Sequence, residues 1–299
     1  MSVRLFVLDR VIRFQMKRRF RRDPELMLLR PMMREMERRA PKLPPHVSIA
    51  QAVVGGVRGE VVRGAKCDET GAILYLHGGA FVAGSPATHR ALTWRLADGV
   101  GVPVHAVDYR LAPEHRFPAG LDDVVAAYRG LLDAGISPGR IGVAGDSAGG
   151  NLTLALAHRV AAAGLPMPAA LVCLSPATEL GVSLESHTSN GASDAMFVPA
   201  LMGKVAPLYC TPDEAQTPFV SPLRGELAGF PPTLIQCSEI EMLRDDGVLM
   251  AKRLREAGVE VELDVWPRVY HVWQLSADIL PEARDAVAKI VAFLRARVR

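Results

Sequence analysis

Short, mostly apolar segments alternate with longer amphipathic segments over most of this 299-residue chain. The apolar segments have the length of strands, and the segments between them have the periodicity of helices. Strands that alternate with helices form a parallel sheet covered by helices, and such strands are apolar throughout because both of their faces are buried. The pattern therefore predicts an α/β fold with a mostly parallel central sheet flanked by helices. The predicted strands are 47–54, 57–62, 72–76, 102–107, 141–144, 169–174, 233–237 and 259–265, and the predicted helices are 87–98, 121–132, 148–163, 247–256 and 282–297.

Two parts of the chain depart from this alternation. Residues 1–45 read as amphipathic helices with breaks at Pro24 and Pro31, and residues 178–225 interrupt the alternation between two strands. An insertion of that length in a compact domain is usually a functional lid. We therefore expect a main α/β domain formed by 46–177 and 226–299, and a helical cap formed by 1–45 and 178–225.

Composition excludes several classes of protein. A hydrophobic content of 49% excludes a disordered chain, and no apolar run has the length of a membrane-spanning helix. Arg4, Asp9 and Arg10 interrupt the first apolar run, so we do not expect it to be a secretory signal. Four widely spaced cysteines fit free thiols in a reducing compartment, so we expect a cytoplasmic protein without a zinc site or other metal site.

Positive charge is concentrated at the N-terminus. Residues 1–45 contain 13 Lys and Arg against 5 Asp and Glu, whereas the rest of the chain is acidic. A nucleic-acid-binding protein is usually basic through its main domain, so we expect no nucleic-acid partner. Such a basic run most often forms a solvated helix face, and membrane contact is not the first expectation. Contact with a membrane surface is the alternative, because Val7, Val11 and Phe14 could form an apolar stripe.

Residues 145–150 read Gly-Asp-Ser-Ala-Gly-Gly, which fits the pattern G-x-S-x-G. A predicted strand precedes this segment and a predicted helix follows it. A nucleophilic serine on a sharp strand-to-helix turn needs small neighbours, because bulk would clash with the tight backbone. Ser147 is therefore a candidate nucleophile, and a purely structural glycine turn is the alternative.

A second segment, His77-Gly78-Gly79-Ala80-Phe81, directly follows the strand predicted at 72–76. Acyl transfer by a serine needs N–H donors aimed at the developing oxyanion, and small residues let backbone N–H groups approach it closely. A Gly-Gly turn with a polar histidine is the alternative interpretation.

These two segments, together with residues 108–119 (Asp-Tyr-Arg-Leu-Ala-Pro-Glu-His-Arg-Phe-Pro-Ala) and an acid and a histidine near the C-terminus, resemble the bacterial hormone-sensitive lipase family of α/β-hydrolase carboxylesterases. The resemblance covers roughly residues 45–299. It implies an α/β-hydrolase fold and hydrolysis of short- to medium-chain carboxylic esters, without a metal or other cofactor. The sequence departs from the family pattern at two places. Ala80 replaces a third glycine, and Glu241-Met-Leu-Arg-Asp245 replaces an Asp-Pro-Leu-x-Asp segment.

The resemblance and the chain order serine, acid, histidine predict a triad of Ser147, Glu241 and His271. Glu241 follows the strand predicted at 233–237, and His271 follows the last predicted strand. The acids Glu239, Asp245 and Asp246 lie nearby and compete with Glu241 for this role. The predicted oxyanion hole consists of the N–H groups of Gly78, Gly79 and Ala148.

The remaining expectations concern the substrate and the assembly. The apolar residues expected to wall the substrate pocket are Phe81, Phe197, Met202, Leu208 and Trp273. Met27, Met32, Met33 and Met36 fit either an adaptable acyl pocket or ordinary core packing. Relatives commonly dimerise through the last strand, so a homodimer is possible. An amidase or lactonase with the same triad is the alternative enzyme, because fold and triad do not separate these reactions. A non-catalytic ligand-binding member of the fold, or a surface-binding protein on a vestigial hydrolase fold, is the alternative outside enzymes.

Overall fold

The computed structural model describes residues 2–22, 25–38 and 42–298. Within them one sheet contains eight strands in the order β1-β2-β4-β3-β5-β6-β7-β8. The first two pairings, β1 with β2 and β2 with β4, are antiparallel, and all the others are parallel. The prediction of a mostly parallel sheet is therefore confirmed. The strands are β1 (Ser48–Val54), β2 (Val57–Arg63), β3 (Ala72–Leu76), β4 (Val104–Val107), β5 (Ile141–Asp146), β6 (Ala170–Leu174), β7 (Thr233–Ser238) and β8 (Val261–Trp266).

Helices cover both faces of the sheet. The helices that alternate with the strands are α3 (Arg90–Leu96), α4 (Ala119–Asp133), α5 (Ala148–Ala162), α8 (Arg244–Glu256) and α9 (Pro281–Val298). Alternate residues of one strand enter different cores: Leu74 and Leu76 join the core that contains α4, α5 and α8, whereas Ile73 and Tyr75 join the core that contains α3 and α9. Because side chains alternate across a strand, this two-sided burial explains why β3 and β6 are apolar at every position.

The register of the parallel strands aligns their carboxyl ends. Leu76 of β3 pairs with Gly145 of β5, and Leu174 of β6 pairs with both Asp146 and Gln236 on its two sides. The segments that follow β3, β5, β6 and β7 therefore meet at one edge of the sheet. Ligands bind at this carboxyl edge in open α/β sheets.

The N-terminal segment contains α1 (Val3–Arg22), a 3-10 turn (Leu26–Leu28) and α2 (Leu29–Arg38). The break predicted at Pro31 is wrong, because α2 continues through it. Pro31 occupies the first turn of α2, where its missing N–H would have no helical acceptor. Pro24, the other predicted break, lies outside the described residues.

The insertion at 178–225 contains two helices, α6 (Ser186–Ser189) and α7 (Pro199–Tyr209), and two 3-10 turns. Helix α1 is tied to this insertion. Arg13 donates hydrogen bonds to the carbonyls of Ala192, Ser193 and Asp194, and Lys17 donates to those of Gly191 and Ala192. The N-terminal segment and the insertion are thus joined by direct polar contacts.

The expected cytoplasmic location and the possible homodimer stay predictions. None of the helices in the described ranges has the length and hydropathy to cross a membrane. The four cysteines are free thiols. Strand β8 lies at one edge of the sheet, where the homodimer contact is predicted.

Candidate active site

Ser147 stands on a sharp turn between β5 and α5. Its backbone has φ 54° and ψ −116°, a conformation that strains a residue with a side chain. The N–H of Ser147 donates to the carbonyl of Leu174 at 2.8 Å, and the Ser147 carbonyl accepts the N–H of Asn151 at 3.1 Å. The predicted strand–turn–helix setting of this serine is confirmed.

The glycines on either side of Ser147 are required by close backbone contacts. A Cβ on Gly149 would lie 1.9 Å from the carbonyl oxygen of Leu76, and a Cβ on Gly145 would lie 2.3 Å from the carbonyl oxygen of Gly149. No side chain fits at such distances, so the G-x-S-x-G pattern reflects the packing of the turn against β3.

His271 and Glu241 form a buried pair close to this turn. Nδ1 of His271 lies 2.6 Å from Oε2 of Glu241, and both side chains are almost fully buried. The other carboxylate oxygen, Oε1, accepts the hydroxyl of Ser175 at 2.9 Å and the N–H of Ser238 at 2.6 Å. These two donors fix the orientation of the carboxylate. The carboxylate in turn favours the tautomer of His271 with its proton on Nδ1, and this leaves Nε2 as a proton acceptor.

The three competing acids are engaged elsewhere. Glu239 is exposed. Asp245 accepts the N–H of Ser186 and pairs with Arg244. Asp246 lies 2.7 Å from Nε2 of His187 in a separate buried pair. Among these four acids, Glu241 is therefore the one that contacts His271.

Asp194 is a buried carboxylate beside this pair that the sequence did not single out. Its Oδ1 accepts the N–H groups of Met196 and Phe197 at 2.7 and 2.9 Å, and its Oδ2 accepts the N–H of Met242 at 2.8 Å. The ring of Phe197 meets His271 edge-on, with ring centroids 4.9 Å apart. Asp194 thus ties the segment that carries Phe197 to the residue that follows Glu241.

The surroundings of His271 stabilise its protonated form. Burial alone would lower the pKa of His271, but the hydrogen bond to Glu241 and the charges of Glu241, Asp194 and Asp146 outweigh it. The pKa of His271 is therefore raised above its ordinary value. An imidazolium that forms at this position is stabilised by its surroundings.

Asp146, the neighbour of Ser147, is hydrogen-bonded to the loop after β3. Oδ1 of Asp146 accepts the hydroxyl of Tyr75 at 2.7 Å and the N–H of Gly78 at 3.1 Å. Nε2 of His89 lies 3.3 Å from Oδ2. Burial would raise the pKa of Asp146, but His89 outweighs it and lowers that pKa, while Asp146 raises the pKa of His89 against burial. Each of these two buried groups therefore stabilises the charged form of the other beneath the loop.

This arrangement corrects the assignment of the oxyanion donors. Because the N–H of Gly78 already donates to Asp146, it is not available to a substrate. A Cβ at Gly78 would also lie 2.2 Å from Oδ2 of Asp146. Gly79 and Ala80 are the next two residues, and both line the cavity that contains Ser147. Ala148 begins α5, so its N–H has no acceptor inside the helix.

His77 shapes the same loop. Its Nδ1–H donates to the carbonyl of Gly78 at 2.9 Å, and its own carbonyl accepts the hydroxyl of Tyr109 at 2.7 Å. The rings of His77 and Tyr109 stack with centroids 4.3 Å apart. Burial, reinforced by the charge of His89, lowers the pKa of His77 to about 3, so this imidazole stays neutral. These contacts of His77 and Tyr109 hold the loop after β3 in shape.

A cavity of about 1370 Å³ lies over Ser147 and His271. Its far wall comes from α1, α2 and the turn between them. The apolar side chains of that wall include Ile12, Met16, Leu28, Leu29, Met32, Met33 and Met36. Three of the four N-terminal methionines named above thus border the cavity, whereas Met27 packs against the core.

Of the five expected pocket residues, Phe197 lines this cavity. Phe81 instead stacks on Tyr209 with ring centroids 3.9 Å apart, and Trp273 is fully buried beside Trp266. Met202 and Leu208 lie on α7, and neither belongs to the cavity lining found among the described residues. Apolar character alone did not distinguish a cavity wall from a core position.

In the ranges that the structure describes, no group of three His, Cys, Asp or Glu side chains is arranged to hold a metal ion.

Known proteins resemble this chain over most of its length. A model of the α/β-hydrolase fold family matches residues 73–275. An acetyl-hydrolase from Streptomyces hygroscopicus is 42% identical over 242 residues, 81% of each chain. An esterase from Acinetobacter venetianus is 38% identical over 267 residues, 89% of this chain and 87% of that one. The crystal structure of an esterase from the bacterial hormone-sensitive lipase family is 38% identical, with a TM-score of 0.86 over 93% of this chain and 99% of that chain.

The chain therefore belongs to the α/β-hydrolase fold family. Within that family it groups with the bacterial hormone-sensitive lipase esterases. The expected fold, the expected family and the expectation of an ester-hydrolysing enzyme are confirmed.

Proposed function

We propose that the protein is a serine carboxylesterase that hydrolyses short- to medium-chain carboxylic esters through an acyl-enzyme, with Ser147, His271 and Glu241 as its triad. One observation carries the proposal. Nδ1 of His271 is held 2.6 Å from a carboxylate oxygen of Glu241, and His271 lines the same cavity as Ser147 on its strained turn. Nucleophile, base and orienting acid are then supplied by three separate loops at one edge of the sheet.

The first half of the reaction forms the acyl-enzyme. Oγ of Ser147 bonds to the acyl carbon while its proton passes to Nε2 of His271, and the carbonyl electron pair moves onto oxygen. Glu241 stabilises the imidazolium that results. When the tetrahedral intermediate collapses, the bond from carbon to the alcohol oxygen breaks, and the alcohol leaves with the proton from His271.

The second half repeats these steps with water. His271 takes a proton from water as the water oxygen bonds to the acyl carbon, and the proton then returns to Oγ of Ser147 as the carboxylic acid departs. The N–H groups of Gly79, Ala80 and Ala148 are the proposed oxyanion donors in both halves. Gly79 and Ala80 line the cavity, the N–H of Ala148 has no acceptor inside α5, and the N–H of Gly78 is engaged by Asp146.

The cavity supports an apolar acyl group as the bound part of the substrate. The apolar part of its far wall includes Met, Leu and Ile side chains from α1, α2 and the turn between them. Flexible thioether side chains adapt to acyl chains of different lengths. We propose that residues 1–45 and 178–225 act as the cap of a catalytic domain formed by 46–177 and 226–299.

The test is steady-state and burst hydrolysis of p-nitrophenyl esters from acetate to palmitate, with Ser147→Ala measured in parallel. We expect a burst of p-nitrophenol, the highest kcat/KM at short to medium chains, and loss of activity in Ser147→Ala. Equal rates for both proteins, or no hydrolysis by either, would refute the proposal. A soluble, correctly folded Ser147→Ala protein is verified by its far-UV circular dichroism and melting temperature.

A further inference from the structure

The outward face of α1 is both apolar and basic. Its exposed apolar side chains are Val3, Phe6, Val7, Val11 and Phe14, between 44% and 80% exposed. On a helix of 3.6 residues per turn they share one side with the exposed cations Arg10, Arg18 and Arg21. The opposite side of α1 carries Leu5, Met16 and Phe20, which are buried in the protein. Helix α1 therefore presents a second apolar surface that the fold does not use.

No carboxylate among the described residues neutralises the cations on this face. Arg10 lies over the ring of Phe6, 4.7 Å from its centroid, and Arg18 lies over Phe14 at 5.5 Å. The acidic residue of α1, Asp9, pairs with Arg13. Within the described ranges, Arg10, Arg18 and Arg21 form no ion pair with a carboxylate. The face thus attracts anions and exposes apolar groups at once.

A groove on this face concentrates the positive charge. It has a volume of about 750 Å³ and lies between α1 and Ala192. The charged side chains that line it are Arg10, Arg13, Lys17, Arg18 and Arg21. Lys17 and Arg13 are fixed there by hydrogen bonds to backbone carbonyls, so part of this cationic lining is held in place by the fold.

The same face borders the entrance to the catalytic cavity. Phe14 and Arg18 line the cavity over Ser147 as well as the outward face of α1, and Met36, which is 51% exposed, lines the cavity from α2. A molecule that rests on α1 is therefore positioned beside the opening that leads to Ser147.

We propose that this face of α1 docks on an anionic lipid surface and directs the opening of the catalytic cavity toward it. The arginines would meet lipid phosphates, and the valines and phenylalanines would enter the boundary between headgroups and acyl chains. A nucleic acid would supply phosphates for the arginines, but it has no apolar phase that the valines and phenylalanines could enter. A second copy docked by the same face would bring identical arginines into opposition, which costs energy.

The test is sedimentation of the purified full chain with vesicles of phosphatidylcholine, with and without phosphatidylglycerol. We expect binding only to the anionic vesicles, weakened by salt. Each arginine near such a surface contributes about a fivefold factor, so Arg10→Gln/Arg21→Gln should bind roughly thirtyfold more weakly. The matched control Arg129→Gln/Arg295→Gln removes two exposed cations from α4 and α9 and should bind like the unmodified protein.

The apolar part of the proposal is tested by Val7→Ser/Val11→Ser, which leaves every charge in place and changes no residue of the cavity lining. We expect weaker binding to anionic vesicles, unchanged hydrolysis of soluble p-nitrophenyl acetate and an unchanged melting temperature. Equal binding to neutral and anionic vesicles, equal losses in the two arginine double variants, or full binding by the serine variant would overturn the proposal. So would self-association of the free protein that the serine variant abolishes. Because binding is measured without turnover, its failure is distinct from a failure of the proposed esterase activity.

Discussion

Replacing Glu241 by Gln should reverse the tautomer of His271. Oε1 of Glu241 accepts two hydrogen bonds, from the hydroxyl of Ser175 and from the N–H of Ser238. A glutamine must keep its carbonyl oxygen at that position, because its amide nitrogen cannot accept them. The NH₂ group then faces Nδ1 of His271 at the 2.6 Å contact and needs an acceptor there. His271 would carry its proton on Nε2 and could not take the proton of Ser147.

The size of the effect follows from the charge that is lost. Two opposite unit charges about 4 Å apart attract each other by about 4 kcal/mol at an effective dielectric of about 20. Transition-state stabilisation of that size corresponds to roughly a thousandfold in rate. The wrong tautomer adds to the loss, so we expect kcat to fall by roughly 10³ or more. KM should change little, because Glu241 lies behind His271 and does not line the cavity described over Ser147.

The assay is kcat and KM for p-nitrophenyl butyrate across pH, for the unmodified protein, Glu241→Gln and Glu241→Asp. The exposed Glu239→Gln is the matched control and should be fully active. Glu241→Asp keeps the charge and should recover part of the loss at a longer distance from Nδ1. The reasoning is refuted if Glu241→Gln retains more than about a tenth of the activity, or if Glu239→Gln loses as much.

Further predictions concern pH, packing and the cavity. His271 must be neutral to act as a base and its pKa is raised, so kcat/KM should rise with pH through a midpoint above about 6.5. The variant Asp194→Asn should move that midpoint to lower pH, because it removes a negative charge that stabilises the imidazolium. A midpoint that moves upward in Asp194→Asn would contradict this. Gly149→Ala should lower the melting temperature by roughly 6–12 °C or prevent folding, since its Cβ would lie 1.9 Å from the Leu76 carbonyl oxygen. The control Gly203→Ala on α7, where nothing lies within 4 Å, should not lower it. Met33→Trp should fill part of the cavity, so that kcat/KM for p-nitrophenyl decanoate falls roughly tenfold more than for the acetate. Equal losses for both esters would place Met33 outside the acyl site.

The order of strands and helices was predictable because each depends on local pattern. Both faces of β3, β5 and β6 are buried, so β3 and β6 are apolar at every position and β5 has no polar side chain before Asp146. The sequence therefore predicts these strands with small errors at their ends. The strand-to-helix turn at Ser147 was predictable for a similar reason. Its glycines are required by contacts within a short stretch of chain and with the strand beside it.

The contacts that arrange the site were not predictable, because they join distant parts of the chain. Asp194 and His89 carry no local motif, yet one meets Met242 and the other meets Asp146 across the fold. The predicted oxyanion hole includes Gly78, whose N–H donates to Asp146 in the structure. Which N–H of a glycine-rich loop is already engaged depends on a carboxylate 68 residues away. The pocket assignment failed at Phe81 and Trp273 because apolar side chains suit a core as well as a cavity wall.

Three buried histidine–carboxylate pairs occur in the described chain, and composition alone does not tell a catalytic pair from a structural one. In His89 and His187, Nε2 faces the carboxylate while Nδ1 bonds to local groups, the carbonyl of Ser85 and the N–H of Leu184 respectively, so both ring nitrogens are engaged. In His271 the order is reversed. Nδ1 faces Glu241, and Nε2 has no hydrogen-bond partner among the described residues, while the ring borders the cavity of Ser147. A base that must both receive and return a proton needs one nitrogen oriented and the other open. Of these three pairs in the described residues, only His271–Glu241 leaves a nitrogen for that purpose. This difference supports the proposal that His271–Glu241, rather than either of the equally buried others, acts in catalysis.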